Sequence, residues 1–204
     1  MASLLKPSER VSYDRRFAAV RAMPVPIPPG ERFRVGIDRV GVGGYIRFEG
    51  NTFAVQRINT YERQGAQWPE LELFCLEDDS TRYLEWERED EISVYLSRDK
   101  LDFATVGIRS AEHLRKMADA QDGSLRHAGE TFRYHEDSQV GFRRDGTGEP
   151  TPFRQYLFAS RQKRRFLCVE EWGNHRDGFE HNVILSEYLD PSSIEVLAKG
   201  DGDG

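Results

Sequence analysis

Cysteine, lysine and long apolar runs are the scarce elements of this sequence. Two cysteines in 204 residues exclude a disulfide-stapled secreted scaffold. Mean hydropathy is −0.68, and no apolar stretch approaches the roughly 20 residues of a bilayer-crossing helix, which excludes a transmembrane segment of that kind. After Met1 only Ala2 to Leu5 is apolar before Lys6 and Pro7. That is short of a secretory core of about 7 to 15 residues, so a cytoplasmic chain without a secretory signal is expected. Lysine numbers 5 against 24 arginines. The arginines are scattered, which points to coding bias before bidentate recognition of carboxylate or phosphate. The net charge of −6 argues against a phosphate backbone as the main partner, which calls for a basic surface.

What is present is a series of short aromatic and β-branched runs. Pro24-Val-Pro-Ile-Pro-Pro29-Gly30 forbids helix and central strand alike and separates a 1–30 arm, read either as a short helix or as a mobile segment, from the rest of the chain. From Arg32 the apolar period becomes two. Phe33, Val35 and Ile37 alternate with polar residues, and so do Tyr45 to Phe48, Phe53 to Val55, Leu71 to Leu76, Arg82 to Trp86 and Ile92 to Leu96. After Gly129 the pattern resumes through Thr131 to His135, Gln139 to Arg143, Phe153 to Ala159, Arg165 to Glu171, Asn182 to Leu185 and Ser193 to Leu197. Such spacing predicts a small barrel or sandwich. Between the two series, Ser110 as N-cap before Ala111 to Ala120, with Leu114, Met117 and Ala118 on one face and Asp122-Gly123 as the stop, predicts one short helix.

The two series echo each other. Gly50-Asn-Thr-Phe53 matches Gly129-Glu-Thr-Phe132, Leu73-Phe74 matches Leu157-Phe158, and the run ending at Trp86 matches the run ending at Trp172, in constant order. The expected fold is therefore mainly β: two related barrel-like or sandwich-like units, 31–100 and 129–198, joined by a helical connector at 101–128. The arm precedes them and a disordered tail, 199–204, closes the chain.

At this point the residues resemble a bacterial family known only as a domain of unknown function, number forty-one seventy-eight. The resemblance rests on Gly44 to Val55, Trp68 to Phe74 and Arg82 to Trp86 in the first half. In the second half it rests on Gly129 to Phe132, Gly141-Phe142, Phe166 to Gly173 and Ile194 to Leu197. Leu71 and Leu73 depart from it, standing where the family more often carries a tyrosine-centred run. The resemblance implies a β-rich cytoplasmic bacterial protein with no catalytic residues to carry over. It also implies a role near membrane stress and membrane maintenance, with peripheral membrane association open.

Few constellations suggest chemistry. Cys75 and Cys168 sit inside strand-like runs and read first as buried thiols, with a disulfide or a reactive thiol as the alternative. His175, Asp177, Glu180 and His181 share a polar loop that could gather metal ligands, although loops collect such residues without binding anything. Glu170 and Glu171 point to opposite faces of a strand. Glu85 and Glu87 share a face, read as solvated because of the charge run from Arg88 to Glu91. Gly41-Val-Gly-Gly44 lacks the Lys-Ser/Thr ending of a phosphate loop, and no Gly-x-Ser-x-Gly elbow occurs.

Trp68, between loop-like flanks, reads as a barrel cap or an interface anchor. Arg161, Lys163, Arg164 and Arg165 read as a solvated hairpin tip or an anionic contact. The expected function is a non-catalytic protein-interaction module, with Trp68, Arg161, Arg164 and Arg165 meeting another protein and with no cofactor, metal or nucleic acid. The alternative is a metal-dependent or small-molecule enzyme using the 175–181 loop.

Overall fold

A computed structural model describes residues 7–174, 176 and 178–201, with side chains from Val11 onward. The chain is mainly β, 53% strand and 18% helix, as the alternation predicts. The helices are α1 (Pro7–Ala22), α2 (Phe103–Val106) and α3 (Ala111–Asp119). The strands are β1 (Tyr45–Phe48), β2 (Asn51–Arg63), β3 (Ala66–Cys75), β4 (Thr81–Arg88), β5 (Ile92–Leu101), β6 (Ser124–His127), β7 (Glu130–Arg143), β8 (Thr151–Ser160), β9 (Arg165–Asn174), β10 (Gly178–Leu189) and β11 (Glu195–Ala198). The chain divides into two compact units. The first comprises the chain up to Ile58, Leu71–Leu84 and the chain from Asp190; the second comprises Asn59–Glu70 and Glu85–Leu189.

In the first unit the order is β11-β1-β2-β3-β4. Glu49 and Gly50, φ 50° and 79°, make the two-residue turn between β1 and β2 in the primed geometry that suits strand twist. Phe48 and Phe53 stack beside it, centroids 4.3 Å apart. Helix α1 lies against this sheet: Ser12 and Arg16 donate to Asp79, Arg15 lies 4.0 Å over the Phe74 ring, and the Tyr45 hydroxyl donates to the Ala19 carbonyl. The expected strand at Phe33–Ile37 is absent. Turn bonds from Glu31 N to Pro28 O and from Arg34 N to Glu31 O coil the backbone there, and Phe33 is exposed. Beyond β11, Gly41 N donates to Lys199 O and Asp201 N to Val42 O. The remaining tail residues, 202–204, lie outside the described residues.

In the second unit the order β5-β10-β9-β8-β7-β6 continues from the far halves of β2, β3 and β4. Strand β7 returns to β2 through Thr60↔Arg143, Tyr61↔Phe142 and Glu62↔Gly141, so eight strands run round in a ring closed at this edge over three pairs. Because side chains alternate along a strand, each strand presents one set outward and one inward. Outward-facing Tyr156, Phe158, Leu167, Val169, Val183 and Leu185 pack with Val106, Leu114, Met117, Ala118 and Leu125 from the helical segment and β6. Helix α3 begins where expected: Ser110 accepts from His113 N, and Leu114, Met117 and Ala118 are its buried face. Ala128 and Gly129, φ 48° and 80°, turn β6 into β7. Both cysteines are free and buried.

Candidate functional site inside the ring

The inward set of the second unit is unusually polar for a packed interior. Cross-strand pairing puts Gln155 opposite Glu170 and Leu157 opposite Cys168 on β8 and β9, and Asn182 of β10 on the other side of Glu170. Three carboxylates enter this space, each tied by neutral donors. Glu70 accepts from Asn59 Nδ2 at 2.8 Å and the Tyr61 hydroxyl at 3.1 Å. Glu170 accepts from Trp172 Nε1 at 2.9 Å and Asn182 Nδ2 at 3.3 Å. Glu85 accepts from Trp68 Nε1 at 3.0 Å. Stacked and tilted rings of Tyr61, Trp68, Phe142, Phe153 and Trp172 fill the adjoining end.

Burying carboxylates disfavours their charged form unless cations or several donors compensate. Burial, then the neighbouring Glu70 charge, pushes the Glu85 carboxyl up to about 8 against the single bond from Trp68. Burial also raises Glu170, despite the bonds from Trp172 and Asn182, and raises Glu87. Burial with the charges of Glu70 and Glu85 holds the Tyr61 phenol well above its usual range. Beside this cluster a cavity of about 220 Å³ opens, walled by Trp68, Glu85, Glu87, Tyr95, Gln155 and Cys168, among others. At its mouth Arg63 pairs with Glu136 at 2.7 Å and lies 5.8 Å over the Trp68 ring. A largely preformed concavity with a few convergent polar groups is the usual form of a small-molecule site.

The sequence profile described as Domain of unknown function (DUF4178) matches residues 41–191, about three quarters of the chain. The chain belongs to the DUF4178 family. No curated protein and no solved structure matches it.

The structure of this DUF4178 member distributes the sequence candidates unevenly. Trp68 lies within β3 rather than in a loop, is 6% exposed and stacks on Tyr61 at 5.6 Å. Pro69 and its polar neighbours disguised a strand whose inward residues are Trp68 and Glu70. Arg161 is exposed. Arg164 lies 5.0 Å over the Tyr188 ring, and Arg165 pairs with Glu130 at 2.7 Å. None of the three reaches the ring interior.

His175 and Asp177 lie outside the described residues. His181 bonds Glu171 at 2.9 Å, and Arg115 reaches the same carboxylate at 2.8 Å. Burial pushes Glu171 up, but the bonds from His181 and Arg115 outweigh it and hold the carboxyl low. Among the described residues no three His, Cys, Asp or Glu side chains gather to hold a metal. The expectation that Glu85 and Glu87 form a solvated face is overturned: both wall the cavity.

Proposed function

We propose that this chain is a non-catalytic binding module whose ring of eight strands takes a small ligand into its interior. The observation that carries the reading is the cavity beside Trp68, Glu85 and Gln155, where polar groups converge in a site walled by rings. Ligand-observed NMR with a set of small aromatic and aliphatic fragments tests it, comparing the parent chain with Ser186→Trp, a substitution that fills the cavity from β10. Fragments that bind the parent chain and not the variant support the reading. Equal binding to both, with the variant folded, overturns it.

A protein partner is the second reading. The face of α1 carrying Tyr13, Phe17 and Val20 favours it, since these side chains are 57%, 50% and 56% exposed and apolar stripes of this kind mark interaction surfaces. Arg161, also exposed, suits the rim of such a contact. The cytoplasmic and bacterial setting, with its neighbourhood of membrane maintenance, rests on the family resemblance and belongs to this proposal. So does descent of β2 to β5 and β7 to β10 from one duplicated hairpin unit, which the primed turns at Gly50 and Gly129 support.

A further inference from the structure

We propose that the cavity of the second unit selects a small organic cation, a primary or secondary amine carried on a short aromatic or apolar body. This rests on the reading of the ring as a ligand site and names the ligand's chemistry. Three observations converge on it.

Charge is the first. Glu85, Glu87 and Glu136 face the cavity against one arginine, and that arginine already pairs with Glu136. Glu87 forms no hydrogen bond or ion pair among the described residues, and Glu85 accepts only from Trp68, through one of its two oxygens. An ammonium group offers the donors and charge that these carboxylates lack.

The second is the remainder of the wall. Trp68, Tyr95 and Phe166 line the cavity, aromatic surface suited to a cation or to its apolar body. The guanidinium of Arg63 over Trp68 already uses one ring in this way. Gln155, 9% exposed, has only the Cys168 thiol as a side-chain hydrogen-bond partner among the described residues. Its amide oxygen is left for a ligand N–H. The third is size: a cavity of about 150 Å³ holds benzene, so one of about 220 Å³ accommodates a benzene ring with an aminomethyl arm.

A cation here must meet an ionised Glu85, whose surroundings are the carboxyls of Glu70, Glu87 and Glu170, the Trp68 indole, the Tyr61 phenol and the Cys168 thiol. Arg63, His135 and Glu136 also line the cavity. Because the Glu85 carboxyl holds its proton up to about 8, binding of a cation expels that proton, and affinity rises with pH towards that value.

Titration calorimetry with benzylamine, benzyl alcohol and benzoate, at pH 6 and pH 8, tests the inference on the whole chain. Benzylamine is expected to bind at least tenfold tighter than benzyl alcohol at pH 8, and several-fold tighter at pH 8 than at pH 6. Glu85→Gln, and independently Glu87→Gln, should weaken benzylamine tenfold or so and benzyl alcohol several-fold less than that. Benzyl alcohol or benzoate binding as tightly as benzylamine overturns the cation inference and leaves the ring as a ligand site. Failure of all three to bind the folded chain overturns both.

Discussion

Glu85 carries a proton into the neutral range because its surroundings offer one donor and several like charges. In an unfolded chain the same carboxyl titrates near 4.3, so between about pH 4.5 and 8 the folded state binds the extra proton. Stability is then fully present below the unfolded value and is lost as pH rises through the folded one. Glu85→Gln keeps an acceptor for Trp68 Nε1 and removes the titration. The advantage of the variant over the parent should grow by a few kcal/mol from pH 5 to pH 8, read as urea midpoints at the two pH values. An unchanged difference between pH 5 and pH 8 would assign the titration to another carboxyl. The pairing of Glu85 with Glu87 on one face was legible from alternation alone. Which face pointed inward was not, because the charge run from Arg88 to Glu91 imitates a solvated edge beside a strand whose glutamates turn into the ring.

Elements differ in how much of their stability is local. Helix α3 is nearly self-declaring, because Ser110 caps it and an apolar stripe three and four residues apart gives its buried face. Replacing the hydroxyl acceptor for His113 N, 3.1 Å away, by Ser110→Ala should cost about 1 kcal/mol in thermal or urea unfolding.

Turns separate conformational from steric cost. At Gly129, φ 80°, a Cβ would meet nothing within 4 Å, so Gly129→Ala pays only for left-handed backbone, about 1 kcal/mol. At Gly200, φ 75°, a Cβ would come 2.2 Å from Gly44 N, and backbone cannot yield as a side chain does. Gly200→Ala should therefore lower the melting temperature more than Gly129→Ala; the reverse order would mean that the Val42–Asp201 bridge adds little to the fold. Strand lengths were less legible than strand positions. Strand β7 reads as two runs because a bulge between Tyr134 and Glu136 resets its alternation, and the apolar alternation at Phe33–Ile37 yields to the turn after Pro28-Pro29.

For the molecule as a whole, the informative feature is that β2, β3 and β4 each run through the boundary between the two units. No linker can be cut to release one unit, and unwinding either pulls on strands of the other. The cysteines report on this separately, since Cys75 belongs to the first unit and Cys168 to the second. Both are buried, and burial raises both thiols above their ordinary range, so little thiolate exists at neutral pH to attack a reagent. Alkylation of the native chain at pH 7.5 is therefore expected to be slow at both positions, to accelerate together through mild urea, and to give equal rates when peptides are quantified by mass spectrometry. That outcome is required if opening is a single cooperative event. Labelling of Cys75 well ahead of Cys168 would instead mean that the first unit opens alone, with β2 to β4 fraying at their unit-one ends while the ring around Glu85 stays closed.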